Sequence, residues 1–80
     1  MNSVVEVILS HGEFYPDNIA IYEKEQPKTY FELASNIRLI ASKLKAEGVY
    51  ENICVMLSAT NEYGFICTYF AVQLTGATVV

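Results

Sequence analysis

The sequence predicts an α/β scaffold in the order helix, hairpin, helix, strand, helix, strand. Three observations predict it. Apolar residues from Leu33 to Leu44 recur at helical spacing behind a helix-capping signature. The run Ile53-Cys54-Val55-Met56-Leu57 is apolar at every position, as in a strand covered on both faces. Between such segments, glycines and prolines stand where a chain must turn.

Taken in order, Ser3-Val4-Val5-Glu6 fits a capping box, in which a hydroxyl and a carboxylate each accept an orphan backbone N–H. Val5, Ile8 and Leu9 then make a short apolar stripe, so a helix of about three turns is expected. Gly12 is expected to let the chain leave that helix, and Tyr15-Pro16-Asp17 to mark a turn. Ile19 to Tyr22 is a β-rich run, and Lys28-Thr29-Tyr30 can return beside it. That pairing predicts a hairpin whose polar loop, Glu23 to Pro27, is loose.

The second helix carries the clearest signals. Thr29-Tyr30-Phe31-Glu32 is another capping box, and Leu33, Ile37, Ile40, Ala41 and Leu44 form the apolar stripe. Arg38, Lys43, Lys45 and Glu47 fall largely off it, and the two lysines suit the negative end of the helix dipole. Gly48 is placed to end the helix in a left-handed conformation. After the strand Ile53–Leu57 and a turn at Ser58 to Asn61, a third helix is expected with Tyr63, Ile66, Cys67, Phe70 and Leu74 on one face. Gly76 closes it, and Ala77 to Val80 begins another strand. Strand, helix, strand is a βαβ unit. The expected total is a four-strand sheet with three helices. Because the last strand reads as buried yet has no following element, more polypeptide is expected to cover it.

Composition narrows the function. The 80 residues are 52% hydrophobic and 18% charged, too apolar for a disordered tail. A chain this short buries only about 60–65% of its unfolded surface, so it carries more apolar content than it can enclose. A self-sufficient small domain would have to offset about 1.5 kcal/mol of ordering entropy per residue. A broad, low-amplitude thermal transition is therefore expected. Net charge is −4, and no face gathers enough Lys and Arg for a phosphate backbone, so nucleic acid is not an expected partner. The longest nearly apolar run, Phe65 to Val72, is too short to cross a bilayer, which takes about 20 residues. The N-terminus lacks a signal-peptide layout, with Glu6 inside its first apolar stretch. A cytoplasmic location is expected by elimination.

Reactive residues are sparse. Gly12, Gly48, Gly64 and Gly76 are too far apart to write a phosphate-cradling loop or dinucleotide fingerprint. His11, the only histidine, reads as a capping or surface residue at a helix end. Cys54 and Cys67 lie in apolar segments without zinc spacing and read as reduced thiols in the core. Glu23 and Glu25 straddle Lys24 in a turn and read as solvated. The six tyrosines are scattered, which suits half-buried packing residues. No carrier-protein attachment signature is present. Catalytic, cofactor-binding and metal-ligating residues are all expected to be absent from this chain.

Several stretches resemble the amino-terminal region of AMP-forming acyl-CoA synthetases and the related adenylation domains of peptide synthetases. His11 to Tyr22 is similar to the family's opening helix end, turn and first strand. Thr29-Tyr30-Phe31-Glu32-Leu33 resembles its first core motif, Leu39 to Val49 its second helix, and Ile53 to Leu57 with Asn61-Glu62-Tyr63 its next strand and turn. Tyr69 to Val80 resembles the start of the second core motif. Departures are small: no proline stands between Ser58 and Glu62, and Thr75 precedes Gly76 where Ala is usual.

The resemblance implies that residues 1–80 are an incomplete N-terminal portion of the large domain of an adenylate-forming enzyme. It implies a parent reaction in which ATP, with Mg²⁺, activates a carboxylic acid as an acyl-adenylate. A thiol such as coenzyme A then displaces AMP. The family's phosphate loop, ribose-binding Asp and late catalytic Lys match no residue here, so the chain is expected to be scaffold, with the remainder of the ligase as its partner. An acyl-CoA ligase is favoured over an amino-acid adenylation domain on Asn61-Glu62-Tyr63 and Tyr69 to Val80. The alternative from another class is a non-catalytic interaction module docking through an exposed βαβ edge.

Overall fold

A computed structural model describes residues 4–48, 54–55, 62–76 and 78–79. Two compact units divide the chain, residues 1–36 and 37–80, with helix α2 beginning in the first and ending in the second.

The first unit holds α1 (Val4–Phe14), the strands β1 (Ile19–Glu23) and β2 (Gln26–Thr29), and the opening turns of α2 (Tyr30–Ala46). The three-turn helix is present, although its expected cap at Ser3 lies outside the described residues. Val5 is buried and Ile8 and Leu9 are half-buried, as their spacing anticipates. Gly12 departs from expectation. It sits inside α1 and is buried, and the helix runs two residues further. An ideal Cβ at this position would lie 2.6 Å from Ala34 Cβ and 3.0 Å from the Tyr30 carbonyl oxygen. The missing side chain serves close approach of α1 to α2, not an exit from the helix.

The hairpin is tighter than the sequence suggests. β1 and β2 pair antiparallel from Glu23↔Gln26 to Ile19↔Thr29, with an irregularity between Ile19 and Ile21. Only Lys24 and Glu25 form the turn, both at positive φ (49° and 67°). Positive φ at both central positions is the type I′ geometry, whose twist matches that of the flanking strands. Pro27 is tolerated in β2 opposite Tyr22. Next to a two-residue turn, that position's N–H points away from the partner strand, so proline removes no ladder bond. Tyr30, expected in the strand, is instead the first residue of α2.

In α2 the buried residues are Leu33, Ala34, Ile37 and Ala41, while Ile40 and Leu44 are half-buried. Arg38, Lys43, Lys45 and Glu47 are exposed, as read from the pattern. The helix ends as expected at Gly48, with φ +89°. Its N–H donates to the Lys45 carbonyl at 3.1 Å.

The second unit adds β3 (Cys54–Val55), α3 (Glu62–Thr75) and β4 (Thr78–Val79). The two strands pair in parallel, Cys54↔Thr78 and Val55↔Val79, so the expected βαβ unit is present. The rest of the strand expected over Ile53–Leu57 lies outside the described residues. Among the described residues the strands form two separate pairs, β1 with β2 and β3 with β4, in place of one four-strand sheet. In α3 the buried residues are Cys67, Ala71, Val72 and Thr75, whereas Tyr63, Ile66, Phe70 and Leu74 are half-buried. The buried face is thus rotated from the one expected. The helix is apolar on nearly all sides, so periodicity alone does not select which stripe is covered. Gly76 closes it at φ +86°.

Candidate functional site

In the first unit α1, the following turn and the start of α2 meet. Tyr15 N–H donates to the His11 carbonyl at 2.8 Å, carrying the last helical bond of α1 into the turn. Pro16 then occupies the second turn position, which its ring pre-sets, and Asn18 N–H closes the turn on the Tyr15 carbonyl at 3.1 Å. Two carbonyls of this turn accept from the start of α2. Tyr30 N–H reaches Asn18 at 2.9 Å, and Phe31 N–H reaches Pro16 at 3.1 Å.

The capping box read from the sequence completes the arrangement. Glu32 N–H donates to Thr29 Oγ1 at 3.1 Å, and Thr29 N–H returns to Glu32 Oε1 at 3.2 Å. The Thr29 hydroxyl also donates to Glu32 Oε1 at 3.2 Å.

The half-buried His11 joins the same junction. Its Nδ1–H donates to the Val7 carbonyl one turn earlier, at 2.9 Å. The ring centroid lies 4.9 Å from that of Tyr30 and 5.5 Å from that of Tyr15. His11 is therefore neither a free surface residue nor a cap, because α1 continues past it and its ring is half-buried. An imidazole tied to a backbone carbonyl and set against two aromatic rings serves as packing.

The other polar groups are also structural. Thr68 and Thr75 hydroxyls donate to the Gly64 and Val72 carbonyls of their own helix, at 2.8 Å and 2.6 Å. Among the described residues, every buried side-chain nitrogen or oxygen has a hydrogen-bond partner. Cys67 is a buried free thiol, as expected, and the side chain of Cys54 lies outside the described residues. Lys24 and Glu25 are exposed in the hairpin turn, and Glu23 is half-buried.

The tyrosines divide. Tyr30, Tyr63 and Tyr69 are half-buried, but Tyr15 and Tyr22 are 55% and 67% exposed, against the uniform packing role expected of them. Among the described residues, no three His, Cys, Asp or Glu side chains are grouped to hold a metal ion. No described helix is long and apolar enough to cross a membrane. Sequence reasoning missed the meeting of His11, Tyr15 and Tyr30 and the Gly12–Ala34 approach. Neither has a signal in the sequence, because both depend on how the turn returns the chain to α2.

No family model matches the chain. Over 77 residues it is 31% identical to nonribosomal peptide synthetase 8 of Aspergillus fumigatus, a match taking in 96% of this chain and 1% of that protein. The fold is similar to the N-terminal subdomain of Klebsiella oxytoca NpsA solved with 3-hydroxyanthranilyl-AMSN. That likeness has a TM-score of 0.89 at 20% identity, over 100% of this chain and 21% of that one. It is similar also to wild-type E. coli MenE with a bound analogue of OSB-AMS, at TM-score 0.76 and 25% identity. There it covers 90% of this chain and 16% of the other. The chain therefore spans a small part of every relative named here. Its fold is that of the N-terminal subdomains of adenylate-forming enzymes, and over nearly its whole length its sequence is similar to part of a nonribosomal peptide synthetase.

Proposed function

We propose that the chain is the N-terminal scaffold segment of an AMP-forming ligase that acts on a carboxylic acid and a thiol. In the parent reaction a carboxylate oxygen attacks the α-phosphorus of ATP and pyrophosphate leaves. The thiol sulfur, that of coenzyme A in the favoured reading, then attacks the acyl carbon and AMP leaves. One observation carries this reading: the whole chain superposes on an NpsA subdomain of which it spans only 21%. A segment that matches so completely, yet so small a part, supports a structural contribution to a larger catalytic body.

ATP, Mg²⁺ and the thiol belong to that larger body. The polar side chains whose partners are described above are taken up by helix capping and backbone carbonyls, so no chemical step is assigned to a residue of this segment. The remainder of the ligase is the proposed partner and the cytoplasm the proposed location. A second reading, the opening of an amino-acid adenylation domain, is favoured by the 31% identity to a peptide synthetase.

A chimera tests the scaffold role. This chain replaces the matched segment of the NpsA N-terminal subdomain, and binding of 3-hydroxyanthranilyl-AMSN is measured by calorimetry. Retained binding is expected. A soluble, folded chimera that no longer binds would count against the proposal. ATP–pyrophosphate exchange by the 80-residue chain alone is expected to be nil, and measurable exchange would overturn the assignment.

A further inference from the structure

We draw no further inference here: the strongest candidate, the exposed apolar side chains at the end of α1 and the start of β1 (Phe14, Tyr15 and Ile19), carries nothing because no feature of the structure shows what covers them.

Discussion

Replacing Gly12 by alanine sets two known effects against each other. In an open helix interior the change stabilises by about 0.5–1 kcal/mol, since glycine has more backbone freedom to lose. Here the new methyl would stand 2.6 Å from Ala34 Cβ. Carbon atoms prefer about 3.5–4.0 Å, so α1 and α2 must separate by about 1 Å or bend. Neither obstacle is a flexible side-chain end: one is a Cβ and the other, at 3.0 Å, is the Tyr30 carbonyl oxygen. Overpacking of this kind costs about 1–3 kcal/mol, leaving a net loss of about 1–2 kcal/mol for Gly12→Ala. Urea unfolding followed by far-UV circular dichroism reads this directly. With a slope near 1 kcal/mol/M for so small a chain, the midpoint should fall by about 1 M or more.

Ala34→Gly removes one of the two obstacles. In the double variant the two losses should therefore be less than additive, by about 1 kcal/mol. A midpoint that rises on Gly12→Ala would show that the helices do not meet here, and the account of the junction would fall with it.

Other substitutions test separate elements. Thr29→Ala removes the hydroxyl that accepts from Glu32 N–H and should cost about 1 kcal/mol, read as a lower urea midpoint. Replacing Lys24 and Glu25 together by Asn and Gly (K24N/E25G) suits the positive φ of both positions. It should raise the midpoint by the equivalent of about 1 kcal/mol, and a fall would argue against the two-residue turn. Gly48→Ala meets open space but retains φ +89°, so it should cost about 1–2 kcal/mol without any packing change. Amide exchange quickened in the last turn of α2 and unchanged in α1 is its expected signature.

Local signals made the second helix legible. The Thr29–Glu32 box, the Leu33-to-Leu44 spacing and Gly48 each declare a boundary or a face through chemistry that acts within a few residues. Gly76 was readable for the same reason. Gly12 was not, because a glycine that frees the backbone and one that makes room for a neighbour look alike until Ala34 is in place. The tight hairpin was hidden because Lys24-Glu25 lacks the Asn or Gly that advertises a type I′ turn. The face of α3 was misjudged because Tyr63, Ile66 and Phe70 are as apolar as the residues that are covered. The meeting of His11 with Tyr15 and Tyr30 depends on how the turn returns the chain to α2, which spacing along the sequence does not encode.

The way the α1–β1 turn docks on α2 bears on where an anion can be held. A helix N-terminus is ordinarily a ready cradle for phosphate, because its first N–H groups lack acceptors. In α2 those of Tyr30, Phe31 and Glu32 are already spoken for, by Asn18, Pro16 and Thr29. The Glu32 carboxylate lies over the same end and would repel an anion. An anion approaching this helix meets an entrance already closed by two backbone carbonyls, a hydroxyl and a carboxylate of the chain itself.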